Sequence, residues 1–591
     1  MIEARFDDLR PGSERSFALV GPVGVLEARR PDEVAATIEA AEASAGRGLW
    51  VGGFVAYEAA AGLDPDLTVR ARTPQDPFAD LPLAWFALFE RMEPVAALEP
   101  PRPEPPEHRG SAWQPSSTRA SYDAAIDRIR ELIAAGETYQ VNHTVRLRAR
   151  IEGRERDFYR DLCLAQRGGF GAFLDLGRYR VLSASPELFF RLDDDRITTR
   201  PMKGTAPRGR WSEEDEAISA SLVSSEKERA ENAMIVDLLR SDLGRICRPG
   251  SVEVERMFDA ERYETVWQLT STIVGDLDPA VSVLDVFRAV FPSGSVTGAP
   301  KVRTTRIIAD LEDAPRGPYC GAIGYLAPRG AGEPRANFNV AIRTVVLDEQ
   351  SRIAEYGVGG GITYDSTAAA EYDELLAKAR VLTATRPAFE LIETIPHDAE
   401  EGFRHLEEHL SRMARSAAFF GYRFEREAAL AALKEAVAQR DRPCRTRLAL
   451  SRGGELATEV TDLPAAAPGP IRVALDDDPV DPADLWLFHK TTRRAPYERR
   501  RARRPDVDDV LLVSVEGGVT ESTIANLAVR LDGRWVTPPV EAGLLPGTYR
   551  EVLLREGRLT ERRIGADELR GADELALVSS VRGWRAAVLV P

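Results

Sequence analysis

Four glutamates fall into two pairs with one spacing. Glu228 and Glu231 stand three apart within SEKERAENAMIVDLLRSDLGRI (225–246), and Glu371 and Glu374 repeat that spacing within AAAEYDELLAKARVLTAT (368–385). Both stretches have helical periodicity, and residues three apart on a helix share a face. Two acidic pairs converging on one point would suit Mg²⁺, which takes oxygen ligands and keeps waters. On spacing alone, a solvated helix face is the commoner meaning. Between the pairs lies GVGGG (357–361). Its glycines let backbone N–H groups approach an anion closely, although a tight turn is the default reading of such a run. Arg343 in AIRT and Lys378 in LLAKAR are cations of the kind that hold carboxylates, arginine in bidentate fashion.

These residues need elements to position them. Residues 1–95 carry short apolar runs separated by glycine and proline, such as GLWVGGFVAY and LPLAWFALF, and read as β-rich. Residues 94–116 are rich in proline and glutamate and read as an exposed linker. SYDAAIDRIRELIAAGETYQ has helical spacing, with Ser121 as cap and Gly136 near the stop. The run YQVNHTVRLRAR then reads as a strand, as do CGAIGYLAP and NFNVAIRTVVL. Pro387 marks a second break. After it FELIETI starts a strand, RHLEEHLSRMARSAAFFG a helix, and about 200 residues remain, enough for a core of their own. The expected division is 1–115, a β-rich part with the linker; 116–386, a catalytic domain; and 387–591, a further domain.

Five segments, SASPELFF (183–190), RPMKGTAPRG (200–209), ERAENAMIVDLLRSD (228–242), FPSGSVTGAPK (291–301) and YGVGGGITYD with AEYDELLAKAR (356–365, 370–380), together resemble the chorismate-utilising enzymes. The resemblance covers roughly residues 115–385, and GGFVAYEAA (52–60) also fits. It implies the α+β chorismate-utilising fold, with β-sheets surrounded by helices. It further implies that Glu228, Glu231, Glu371 and Glu374 hold Mg²⁺ against a substrate carboxylate. Thr205, Thr297, Tyr319, Arg343, Gly359, Gly360, Gly361 and Lys378 would line the pocket for chorismate. Lys203 takes the slot that holds lysine in aminodeoxychorismate synthases and alanine in anthranilate synthases. By that resemblance it attacks ring carbon C2 and expels the 4-hydroxyl, ammonia then displaces it from C4, and Glu187 is the acid for the leaving hydroxyl. Such a lysine must be neutral, so burial or a neighbouring cation is expected. One departure is Gln268 in VWQLTST, where some relatives have histidine.

The segments EEHLSRM (407–413), FHKTTRRAPY (488–497), GGVTESTIANLAV (517–529), TPPVEAGLLPGTYR (537–550) and SSVRG (579–583) resemble the fold-type IV pyridoxal-phosphate enzymes, in particular aminodeoxychorismate lyase. The resemblance implies an α/β domain in which Lys490 forms the imine and then moves the proton. Glu521 would face the pyridine nitrogen and Arg412 the phosphate, with the amides near Ile524 and Thr548 completing a phosphate cup at helix N-termini. The basic run RRAPYERRRARR (493–504) reads as a solvated loop, or as an attractor for a dicarboxylate.

Bulk composition limits the rest. With 591 residues, 43% hydrophobic and 29% charged, the chain has a globular profile, and its net charge of −16 argues against a nucleic-acid surface. The four cysteines are far apart, form no CxxC pair, and read as reduced thiols. No secretory leader and no run of ~18 apolar residues is seen, so a cytoplasmic location with no membrane span is expected. No cysteine lies in a nucleophile context, so the nitrogen donor implied is a separate glutamine amidotransferase subunit, or free ammonia. A homodimer is implied only by the fold-type IV resemblance. The two halves together imply 4-aminobenzoate synthesis, by amination of chorismate and elimination of pyruvate. The alternative is an anthranilate synthase-like half joined to a branched-chain or D-amino-acid aminotransferase. A binding protein without catalysis is the rival from another class.

Overall fold

The computed structural model describes residues 2–99, 109–383, 388–463 and 468–591. The chain forms two compact units, Met1–Arg208 with Ser219–Ala388, and Gly209–Ile218 with Phe389–Pro591. The second unit therefore takes ten residues from the middle of the first unit's sequence. The break at Pro387 and residues 100–108 of the proline-rich stretch lie outside the described residues. The tail of that stretch is not a free linker. Arg109–Gly110 and Gln114–Pro115 pair antiparallel with the strand Gln140–Glu152, whose edge supplies the partners their backbone needs.

In the first unit, residues 1–95 do not stand apart. Glu3–Asp8 pairs with Phe170–Asp175, and Trp50–Val55 pairs with Ala322–Leu326, so both belong to the sheet that carries the later motifs. The strand pairings are antiparallel, and helices such as Pro31–Gly46, Glu226–Leu243 and Val283–Val290 cover apolar sheet faces. The sequence explains the anchoring of the core. Phe190, Phe287 and Phe338 are each 0% exposed, with ring centroids 5.3 Å apart. Truncating one of them to alanine should cost about 3–5 kcal/mol.

Two local expectations are corrected. The helix Arg119–Ala134 is capped by Thr118, whose hydroxyl accepts from the Ser121 N–H at 3.2 Å, so Ser121 lies inside the first turn. NFNVAIRTVVL is not one strand. It divides into Ala336–Val340 and Thr344–Asp348, because Arg343 adopts a left-handed φ of 53° between them.

In the second unit a four-stranded sheet contains Leu391–Asp398, Gly402–Phe403, Cys444–Leu450 and Leu456–Asp462. The helix Leu406–Phe420 packs its apolar face on it through Leu410, Met413 and Ala417. A separate eight-stranded sheet is mixed, with Ile471–Leu475 parallel to both Asp509–Val513 and Gly583–Leu589. The described cysteines are free and buried. Among the described residues no helix is long and apolar enough to cross a membrane.

Candidate active sites

In the first unit a cavity of about 200 Å³ gathers nearly every residue singled out in its sequence. Lys203, Glu187, Thr205, Tyr319, Arg343, Gly359, Gly360, Gly361, Lys378 and all four glutamates line it. Thr297 does not. It is 0% exposed, and its hydroxyl donates to the Ser293 carbonyl at 2.9 Å, which makes it part of the wall's backing.

Two helices supply the carboxylates. Ser225 caps Glu226–Leu243 by accepting from the Glu228 N–H, and Thr367 caps Ala368–Ala379. Asn232, 1% exposed, ties the first of these helices to the Lys203 strand (Met202–Pro207) by donating to the Lys203 carbonyl at 3.1 Å. Burial, then the charge of Glu231, raise the Glu228 carboxyl above its ordinary range. Burial likewise raises Glu371, with Glu374 adding to it against the hydroxyl of Ser366 at 2.6 Å. The present counter-charges are lysines. Lys203 Nζ lies 3.1 Å from Glu231, and Lys378 Nζ lies 2.6 Å from Glu374. Among the described residues no three carboxylate, histidine or cysteine groups converge closely enough to form a finished metal cage. What the site has is a crowded donor set of carboxylate oxygens short of positive charge, and that fits a hard divalent cation.

The glycine run is a strand rather than a turn. Ile353–Ile362 pairs antiparallel with Gln140–Glu152, with Gly359 opposite Thr144 and Gly361 opposite Asn142. On its other edge the pairing with Thr344–Asp348 reaches only Tyr356, so the glycines run past that partner beside the cavity. Close approach explains their type. A Cβ on Gly357 would collide with the Tyr319 ring, and one on Gly361 would sit 2.6 Å from Gln140 Nε2 and 2.7 Å from Lys203 Nζ. Lys378 donates to the Gly359 carbonyl at 2.9 Å, and Arg343 donates to the Lys378 carbonyl, so Lys378 is tied to the glycine strand and Arg343 to the helix of Lys378.

Lys203 has a side chain 16% exposed, and its neighbour is the Glu231 carboxylate rather than the expected cation. Glu187 is 3% exposed. Burial pushes its carboxyl up to about 7, against the Ser295 hydroxyl, which donates to it at 2.6 Å. A carboxylic acid with that affinity can deliver a proton near neutrality. Thr205 donates to Gln268 Oε1 at 3.2 Å, and Gln268 lines the cavity as a hydrogen-bonding residue. Gln140 was not anticipated. It is 0% exposed, and among the described residues neither polar atom of its amide has a partner, although it stands beside the Gly361 and Lys203 positions. Such a group calls for a small polar guest. Ser295 was not singled out either, although it lies inside the FPSGSVTG motif.

The second unit brings Lys490, Glu521 and Arg412 together. Burial, followed by the charge of Arg412, lowers the Lys490 amine to about 8, while Glu393 and Glu521 act the other way. Burial pushes the Glu521 carboxyl up to about 8, against the Leu545 amide and the charges of Arg494 and Lys490. Asn526, not anticipated, donates to Glu521 at 3.2 Å and to the Leu545 carbonyl at 2.8 Å. Arg412 is buried, with Nε and Nη2 donating to Glu393 at 2.8 and 2.6 Å and Nη1 to the Pro546 carbonyl at 3.0 Å. Burial disfavours the Glu393 charge, yet Arg412 and His409 hold its carboxyl down at about 2. Thr548 opens the helix Thr548–Arg555, whose first amides have no intrahelical partner and can meet an anion. Ile524, expected at a helix N-terminus, instead lies in the turn between the strands Val519–Ser522 and Asn526–Leu531, 62% exposed, with its N–H donating to Ser522 Oγ at 3.4 Å. The basic run is largely tied down. Arg500 and Arg503 pair with Asp476 and Asp478, while the charge of Arg494 acts on both Lys490 and Glu521. An amine depressed toward neutrality, a buried carboxyl that can share a proton with a ring nitrogen, and an arginine beside a helix N-terminus fit pyridoxal phosphate.

Comparison with known proteins finds a family match for each part of the chain. Residues 6–384 match the chorismate binding enzyme family, and residues 390–590 match the amino-transferase class IV family. An aminodeoxychorismate synthase of Streptomyces griseus is 44% identical over 302 residues, 51% of this chain and 41% of that protein. Anthranilate synthase component 1 of Aquifex aeolicus (strain VF5) is 39% identical over 270 residues, 46% of this chain and 53% of that protein. The chain thus spans about half the length of these curated relatives. The crystal structure of anthranilate synthase component I from Streptococcus pneumoniae TIGR4 superposes with a TM-score of 0.54 at 27% identity, over 64% of this chain and 92% of that one. With the cavity, its glutamates and the family match covering the larger part of its length, the chain belongs to the chorismate binding enzymes, and its remaining third carries an amino-transferase class IV domain.

Proposed function

We propose that the chain makes 4-aminobenzoate in two steps. In the first unit chorismate is aminated to 4-amino-4-deoxychorismate, and in the second that intermediate loses pyruvate. The observation that carries this reading is Lys203 in the wall of the glutamate and glycine cavity, beside Gly361 and 3.1 Å from Glu231. Relatives bearing both synthase names match this chain, so the reading of the product rests on the lysine and not on the family.

Glu228, Glu231, Glu371 and Glu374 would hold Mg²⁺, which supplies positive charge for a substrate carboxylate. Arg343, Lys378 and the amides of the glycine strand receive the carboxylates. Lys203 attacks C2, both ring double bonds shift by one position toward C4, and the 4-hydroxyl leaves as water with the proton of Glu187. Ammonia then adds at C4, the double bonds shift back, the C2–N bond breaks with its pair on Lys203, and the extra proton of the added nitrogen returns to Glu187. Among the described residues both amide atoms of Gln140 lack a partner, which supports a role for it in holding the incoming ammonia. The balance is chorismate plus ammonia giving the amine and water. A glutamine amidotransferase is the source proposed for the ammonia.

In the second unit Lys490, Glu521 and Arg412 would hold pyridoxal phosphate, which supplies an electron sink for the substrate amine. Lys490 takes the proton from the ring carbon bearing that amine. The enolpyruvyl group departs, the ring becomes aromatic, and the proton returns to complete pyruvate. A second reading of this unit is favoured by the name of the family it matches, since aminotransferases use the same lysine and glutamate. Incubation with 2-oxoglutarate and branched-chain or D-amino acids separates the two. For the whole chain, chorismate, Mg²⁺, pyridoxal phosphate and a high ammonium concentration should give 4-aminobenzoate and pyruvate. Anthranilate as product would refute the role given to Lys203.

A further inference from the structure

The residues just before Lys490 are held from two sides. His489 is 5% exposed. Its Nδ1 lies 3.0 Å from Ser416 Oγ, and its Nε2 lies 3.1 Å from the carbonyl of Arg210. A carbonyl only accepts, so Nε2 carries the proton and Nδ1 of the neutral ring accepts from Ser416. Phe488, 2% exposed, stacks on Trp211 with centroids 5.0 Å apart and an interplanar angle of 28°. The Arg210 guanidinium lies 4.7 Å from the Trp211 ring and 5.4 Å from the Phe488 ring. Arg210 is itself fixed by Glu214 at 2.7 Å and by the Pro482 carbonyl at 3.1 Å. Ser212 donates to the Arg415 carbonyl at 3.2 Å, on the helix that also bears Arg412 and Ser416. On the opposite side the Lys490 carbonyl accepts from the Ile392 N–H at 3.0 Å.

We infer that Arg210 and Trp211, from the ten-residue segment Gly209–Ile218, are positioning residues for Lys490. Without the segment, Phe488 would lose its stacking partner and the His489 N–H would lose its acceptor. The turn that aims Lys490 would then lose its tie on the segment's side, keeping the Ser416 and Phe419 contacts of His489 and the bond to the Leu391–Asp398 strand. The second site thus depends on residues that the sequence places between the Lys203 strand and the Glu228 helix. Residues 389–591 by themselves do not contain the whole support of their lysine. The inference rests on the reading of Lys490 as the pyridoxal-phosphate lysine.

The test uses the full-length chain and the visible absorbance of bound pyridoxal phosphate, titrated with cofactor and then with pH. Wild-type protein that shows no lysine-dependent absorbance would sink the reading beneath the inference. If wild type binds, Trp211→Ala should weaken cofactor affinity at least tenfold and shift the midpoint of the pH titration, while Trp211→Phe stays within about twofold of wild type. His489→Gln, whose amide can still donate to the Arg210 carbonyl, should keep more affinity than His489→Asn, which places its amide at the Nδ1 position. That pair decides the matter if Trp211→Ala does not fold. A folded Trp211→Ala with wild-type affinity and midpoint, or equal behaviour of the two His489 variants, would overturn the inference.

Discussion

Lys203 Nζ and Glu231 Oε2 are 3.1 Å apart, so the lysine proposed to attack the substrate is held by a glutamate proposed to bind the metal. The two roles exclude each other at that oxygen. A cation that takes Glu231 loosens the hold on Lys203, and one that fails to bind leaves the lysine paired. Lys378 and Glu374 repeat the relation across the cavity at 2.6 Å.

Metal dependence follows. Chelation should stop ammonia-dependent consumption of chorismate, and Mg²⁺ should restore it. Glu231→Gln and Glu374→Gln should each raise the Mg²⁺ concentration for half-maximal activity by at least tenfold, since even groups behind metal ligands are worth about 10–100-fold. An unchanged requirement in either variant would remove that residue from the metal set.

Glu187 sets a pH limit. Its carboxyl is raised to about 7, so the acid form needed for the leaving hydroxyl is lost as pH rises through that value. With free ammonia held constant, kcat/KM for chorismate should fall above about pH 7, and Glu187→Gln should lower it by about 10²–10⁴-fold. The stability effect has the same direction. The folded state keeps this proton over a range where the unfolded chain has released it, so stability falls as pH climbs from the ordinary carboxyl value to about 7. Glu187→Gln should therefore raise the melting temperature at pH 8 relative to wild type.

Gly357 is a packing test of the glycine strand. Its alanine variant forces a methyl into the Tyr319 ring and should cost about 1–3 kcal/mol in denaturant unfolding. Combining it with Tyr319→Ala should relieve part of that cost. Full additivity of the two variants would contradict the contact.

The sequence carried the membership of the first cavity well, because Lys203, Glu187 and the four glutamates lie inside contiguous motifs that the fold brings to one wall. It carried less of what supports them. Gln140 and Asn232 look ordinary within a strand and a helix, and their meaning comes from what stands opposite once the sheet forms. GVGGG suggested a turn because glycine frees the backbone, whereas here it serves close approach on a strand. NFNVAIRTVVL kept its alternation while Arg343 broke it, since periodicity does not register one left-handed residue. Least legible was RGRWSEEDEAIS (208–219), a polar stretch in which the partner of Arg210, His489, lies 279 residues further on.

The most direct test of the central claim is product analysis of two single variants beside wild type, with chorismate, ammonium, Mg²⁺ and pyridoxal phosphate supplied. Lys490→Ala should accumulate 4-amino-4-deoxychorismate and release no pyruvate. Lys203→Ala should leave chorismate unconverted yet still turn added 4-amino-4-deoxychorismate into 4-aminobenzoate. Formation of 4-aminobenzoate from chorismate by Lys203→Ala at the wild-type rate would contradict the account.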